Sequence, residues 1–91
     1  MPEATVTLHN ETGLHARPAK IFAQAAAASP AAVVVEKDGK SVNGKSVLSV
    51  LTLGCDRGDE ITIRTSGEGA EEALADLLKL IESGFGEADQ R

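Results

Sequence analysis

Ninety-one residues provide for one domain around one core, which buries about 60–70% of the unfolded surface at this size. A hydrophobic fraction of 42% favours a folded globule over a disordered chain, and with Phe22 and Phe85 as the only aromatics the core must come from Ala, Val, Leu and Ile. Nine basic against fourteen acidic residues give a net charge of −5, which disfavours duplex nucleic acid and anionic membranes as partners, and the scarcity of aromatics argues against base stacking. Cys55 is the only cysteine, so an internal disulfide and a Cys-ligated structural zinc site are excluded, and a free thiol fits a reducing compartment. No apolar run approaches a membrane span and no export signal is visible near Met1, so a cytoplasmic location is expected.

Residues Ala4 to His9 alternate, with Val6 and Leu8 on one side and Thr5 and Thr7 on the other, as in a half-buried strand. Asn10 to Gly13 breaks the alternation. Ala16 to Ala28 is Ala-rich and carries Pro18 in its first turn, where a missing N–H costs little. Ala19, Phe22, Ala23 and Ala26 then share one helical face, and Ser29-Pro30 ends the helix. Ala32 to Lys37 is a β-branched strand, Asp38-Gly39 a two-residue hairpin turn, and Lys40 to Asn43 the returning strand. Ser46 to Leu53 predicts a short helix capped by Ser46 and ended by Gly54, with Val47, Val50 and Leu51 on one face. Glu60 to Thr65 alternates again, with Ile61 and Ile63 inward. Ala70 to Ser83 is the clearest helix, with Ala70, Ala73, Leu74, Leu77 and Ile81 as its apolar stripe and Glu71, Glu72 and Asp76 early, where the helix dipole favours them. Gly84 closes it, and residues 85–91 read as a loose tail. The order βαββαβα predicts an α+β fold: an open-faced two-layer sandwich with a mostly antiparallel sheet and helices on one face. The whole of residues 1–91 is one domain, with its core at about 3–84.

Gly39, Gly44, Lys45 and Ser46 satisfy the pattern G-x-x-x-x-G-K-[ST] of nucleotide-binding loops. The four residues between the glycines read better as a strand, and no magnesium-binding Asp follows an apolar run. A nucleotide-binding protein is therefore the weakest of three hypotheses. The sharper constellation is Gly13-Leu14-His15-Ala16-Arg17-Pro18-Ala19. His15 stands at a helix start, where the N–H groups of Ala16 and Arg17 have no partner within the helix and make an anion cradle. Arg17 adds a permanent cation whose donors suit phosphate oxygens. A neutral imidazole beside a phosphate cradle is a ready nucleophile. The same residues also fit an ordinary helix-start histidine with a solvated arginine. Ser46 is explained fully as an N-cap, and equally fits a phosphorylation site at a helix start. His9 and His15 without neighbouring carboxylates or thiolates give no metal site, and Cys55 reads as an inert small residue.

The segment Gly13 to Ala19 resembles HPr, the histidine-containing phosphocarrier family of the bacterial phosphoenolpyruvate-dependent sugar phosphotransferase system. Asn43-Gly44-Lys45-Ser46-Val47-Leu48-Ser49-Val50-Leu51-Thr52-Leu53-Gly54 resembles the family's regulatory-serine segment, and Gly58-Asp59-Glu60-Ile61 its entry to the last strand. The resemblance covers about residues 3–84 without an insertion and implies a four-stranded antiparallel sheet in the same βαββαβα order. It implies that His15 is the phosphoryl acceptor through Nδ1, taking phosphate from enzyme I and giving it to sugar-specific IIA domains. Arg17 would hold the phosphate together with the Ala16 and Arg17 cradle. Ser46 would be the target of an HPr kinase/phosphorylase, whose product a phospho-Ser46-dependent regulator would read. Val47, Leu48 and Leu51 would form the docking surface, with Thr12, Ala16 and Lys20 around it. Family members often carry more lysines there, and Gln24, Ala27 and Ser49 leave Arg17, Lys20 and Lys45 as the basic ring. The protein implied is a cytoplasmic monomer that carries phosphate without being an enzyme and needs no cofactor or metal. The alternatives are a purely regulatory binding module and a nitrogen-related paralogue. A histidine-lacking paralogue of the Crh type is excluded by His15.

Overall fold

Residues 2–86 are described by the computed structural model of the chain. Four strands, β1 (Glu3–Thr7), β2 (Ala32–Lys37), β3 (Lys40–Asn43) and β4 (Glu60–Ser66), form one sheet in the order β1-β4-β2-β3. Every neighbouring pair is antiparallel. The helices are α1 (Ala16–Ala27), α2 (Val47–Leu51) and α3 (Ala70–Glu82). This is the expected βαββαβα sandwich. The short helix is smaller than its sequence suggests: Thr52 is its C-cap and Leu53 already lies outside it.

The register explains the layers. Val42 pairs with Val35, Val35 with Ile63, and Ile63 with Ala4, so one apolar row crosses all four strands. Val33, Val35, Ile61 and Ile63 are buried beneath the helices. From above, α1 buries Ala19, Phe22, Ala23 and Ala26, and α3 buries Ala70, Ala73, Leu77 and Ile81. The alanines of α1 keep that helix close to its neighbours, and Phe22 fills the remaining space as the largest fully buried side chain. Thr65 is the polar residue of this inner face, and its hydroxyl donates to the Ala70 carbonyl at 2.7 Å. The opposite sheet face carries Arg64, which bonds Glu3 at 2.9 Å on one side and Glu36 on the other. Those two carboxylates, Glu36 foremost, hold the guanidinium above the ordinary arginine range.

Phe85 corrects the expectation of a tail beginning at residue 85. It is 3% exposed and belongs to the core, within a 3₁₀ turn at Gly84–Gly86. Gly84, at φ +68°, reverses the chain after α3 and lets Phe85 fold back over the open end of the core. Burying a phenyl ring stabilises by about 1.5–3 kcal/mol, which offsets part of the cost of ordering the turn. Residues 87–91 of the expected tail lie outside the described residues. Among the described residues, no helix is long and apolar enough to cross a membrane.

Candidate functional site

The site begins with a turn. Asn10 is buried and donates its side-chain amide to the Gly13 carbonyl at 2.8 Å, while the Gly13 N–H donates back to the Asn10 carbonyl at 3.3 Å. Gly13 has φ +62°, and a Cβ there would lie 2.5 Å from the Cys55 carbonyl oxygen and 2.7 Å from the Asp56 Cα. Only glycine lets the two loops approach so closely. The Leu14 N–H then donates to the Cys55 carbonyl at 3.0 Å, and the fully buried Leu14 and Cys55 side chains anchor both loops in the core.

That backbone bond sets the next residue of each loop side by side. His15 Nε2 and Asp56 Oδ1 are 2.8 Å apart. An ionised carboxylate only accepts, so Nε2 donates and carries the ring proton, which leaves the lone pair of the neutral ring on Nδ1. The His15 side chain keeps 42% of its surface exposed. Asp56 is tied in turn: its N–H donates to Asp59 Oδ2 at 2.7 Å, and Lys37 Nζ donates to the same oxygen at 3.0 Å and to the Gly54 carbonyl at 3.1 Å. The Asp56 N–H first, and the Lys37 ammonium second, hold the Asp59 carboxyl below the usual carboxylate range. Asp59 in turn raises Lys37. Burial pushes the Cys55 thiol up, against the pull of Lys37, as befits an inert side chain.

His15 is the N-cap of α1, with extended backbone and no side-chain cap bond. Pro18, third in the helix, has no N–H. The Ala16 and Arg17 N–H groups are therefore the donors that the first turn offers to an anion. Ala16 has φ +49°, a left-handed conformation that disfavours a side chain. Arg17, two residues after His15, is exposed.

The remaining predicted residues separate. Thr12, Ala16, Arg17 and Lys20 are exposed around the turn and α1. Leu48 is 76% exposed, whereas Val47 is half-buried and Leu51 packs partly against the core. The apolar patch is thus centred on Leu48. Ser46 caps α2, its hydroxyl accepting from the Ser49 N–H at 3.3 Å. Lys45 of the expected basic ring is half-buried, and its ammonium donates to the Ser29 carbonyl at 2.8 Å, just beyond the C-terminal end of α1. The nucleotide-binding pattern dissolves, because Lys40–Asn43 is strand β3 and the Gly44 N–H donates to the Val33 carbonyl at 2.8 Å. Sequence reasoning missed Asp56, Asp59 and Lys37. Asp56 lies 41 residues from His15, beyond any local spacing rule.

An open-faced sandwich presenting a half-exposed histidine at a helix start is the arrangement of a histidine phosphocarrier. The family model described as "PTS HPr component phosphorylation site" matches residues 2–83. The phosphocarrier protein HPr of Streptomyces coelicolor is 47% identical over 88 residues, covering 96% of this chain and 95% of that protein. The HPr-like protein Crh of Halalkalibacterium halodurans is 40% identical over 82 residues, covering 90% of this chain and 98% of that protein. The crystal structure of HPr-C-His from Thermoanaerobacter tengcongensis superposes with a TM-score of 0.94 at 45% identity, covering 96% of this chain and 98% of that one. The chain belongs to the PTS-HPr family, whose members are phosphocarriers of the phosphotransferase system and not enzymes, bearing phosphate transiently on histidine.

Proposed function

We propose that His15 takes a phosphoryl group from phospho-enzyme I and gives it to sugar-specific IIA domains. The observation that carries this reading is the division of the ring: Nε2 is bonded to Asp56, and Nδ1 is left to attack. The Nδ1 lone pair forms the bond to phosphorus as the bond to the enzyme I leaving group breaks. Arg17 and the two first-turn N–H groups hold the phosphoryl oxygens through the transfer. The exposed Leu48, with Val47 and Leu51 beside it and Thr12, Ala16 and Lys20 around it, supplies the docking surface. The protein works as a cytoplasmic monomer, and its chemistry calls for no metal or cofactor. Incubation with enzyme I and phosphoenolpyruvate tests the reading. Acid-labile, base-stable phosphate on the chain is expected, and none on His15→Ala. Full incorporation in that variant removes the proposal.

A second reading makes the chain a regulatory module in which phospho-Ser46, formed by an HPr kinase/phosphorylase, creates the surface for a regulator. Its support is that Ser46 starts the helix bearing the exposed Leu48, and that a Crh-type relative is 40% identical. Transfer from His15 to a IIA domain favours the carrier, and the choice between sugar-specific and nitrogen-related IIA acceptors separates the two branches. Binding only after Ser46 phosphorylation, without transfer, favours the module.

A further inference from the structure

We propose that Asp56 is the positioning residue that decides which nitrogen of His15 is phosphorylated. This deepens the carrier reading and rests on His15 being the acceptor. An imidazole on a free side-chain rotor presents either nitrogen after a half turn, and Nε2 is the less crowded of the two. Here the 2.8 Å contact to Asp56 Oδ1 engages Nε2. A half turn of the ring would break that bond and leave the Cε1–H facing the carboxylate in place of the N–H.

The contact is built on anchored neighbours. The Leu14–Cys55 backbone bond fixes the spacing of the two loops. Asp59 grips the Asp56 N–H, and Lys37 grips both Asp59 and the Gly54 carbonyl. Lys37 also offsets the Asp59 charge, so the carboxylate facing the ring is that of Asp56. Of these anchors, Asp56 is the one that hydrogen-bonds the imidazole.

The chemistry balances. The Nδ1 lone pair forms the N–P bond, the donor's bond to phosphorus breaks, and the ring becomes cationic with its proton still on Nε2 against Asp56. In onward transfer the N–P bond breaks, and its electron pair returns to Nδ1. The ring then leaves as neutral imidazole rather than as the poorer leaving group imidazolate, because Nε2 has kept its proton.

Phosphoramidate provides the test, because this small donor phosphorylates imidazoles without a protein to orient them and releases ammonia. The intact chain, Asp56→Ala and Asp56→Asn are treated alike, and phosphorus and nitrogen NMR distinguish the Nδ1 and Nε2 adducts. His9, exposed two residues beyond β1, reports the intrinsic ratio in the same sample. In the natural chain His15 is expected to carry phosphate mainly on Nδ1, unlike His9. An exposed charged contact shifts an equilibrium by up to about fivefold, so Asp56→Ala is expected to raise the Nε2 share of His15 by about two- to fivefold. Asp56→Asn keeps an acceptor in place and returns the ratio towards that of the natural chain. An unchanged ratio in Asp56→Ala overturns the proposal. So does a natural chain whose His15 reacts like His9, or an Asn variant further from the natural ratio than the Ala variant. Transfer from enzyme I is measured separately: its absence, with the regiochemical shift intact, sinks the carrier reading and leaves the role of Asp56 standing.

Discussion

Gly13→Ala attacks the contact on which the whole site is built. Two penalties add. A side chain at φ +62° costs about 1 kcal/mol as a left-handed residue. The new Cβ would also stand 2.5 Å from the Cys55 carbonyl oxygen, where ordinary contacts begin at 3.4 Å, and both neighbours are backbone atoms of an anchored loop. Overpacking of this kind costs about 1–3 kcal/mol. The expected loss is therefore about 2–4 kcal/mol, or roughly 10–25 °C in Tm for a domain of this size. Gly54 supplies the control, since it shares φ +62° but has nothing within 4 Å of its Cβ position. Gly54→Ala should lose only about 1 kcal/mol. Denaturant titration of both variants reads the difference directly, and transfer from enzyme I should fall further in Gly13→Ala than its unfolded fraction explains, because His15 and Asp56 are pushed apart. Equal stability losses in the two variants would refute the close-approach account of Gly13.

Leu48→Asp should raise the KM for enzyme I while leaving stability within about 0.5 kcal/mol, since the side chain is 76% exposed; a large drop in Tm would place Leu48 in the core. Ser46→Asp keeps an oxygen for the Ser49 N–H and puts negative charge at the start of α2, so Tm should hold or rise while enzyme I kinetics weaken; indistinguishable kinetics at low salt would reduce Ser46 to a plain N-cap. Phe85→Ala should cost about 3–5 kcal/mol by the cavity it opens at the end of the core, measured by denaturant unfolding, and a near-neutral result would return Phe85 to the tail. The depressed Asp59 carboxyl contributes stability that is fully present above its ordinary value of 3.8 and is lost as pH falls through its lower folded value. Acid titration of Asp59→Asn should accordingly show a shallower fall in stability below about pH 4, and a profile parallel to the natural chain would argue against the Lys37–Asp59 anchor.

Much of this molecule is written in local pattern. Alternation located β1 and β4, the β-branched run and the Asp38-Gly39 turn located the hairpin of β2 and β3, and the i, i+3, i+4, i+7 spacing of Ala19, Phe22, Ala23 and Ala26 assigned the buried face of α1 correctly. Phe85 shows where pattern was present but overlooked. A glycine just past a helix, followed by a large apolar residue, is the signature of a chain that folds back on its last turn. Lys45 shows a different limit: sequence sees a cation beside a short helix, and only the fold reveals that its ammonium bonds the Ser29 carbonyl.

The sequence by itself determined the element order and the inner faces of β1, β4, α1 and α3, and it singled out His15 at a helix start, because these depend on residues within a turn or two of one another. The histidine, the helix start and the arginine lie within three positions. Only the tertiary structure decided what holds the His15 ring. Asp56 reaches His15 because Gly13 lacks a side chain and because Leu14 bonds Cys55; Asp56 stays there because Asp59, in the loop before β4, holds its N–H, and Lys37, at the end of β2, holds Asp59. The Asp56–Asp59 contact is local, but the others join segments that the chain brings together only by closing long loops, and the entropy of closing them is offset by the core they share rather than by any of the contacts themselves. A pattern along the chain has no access to that.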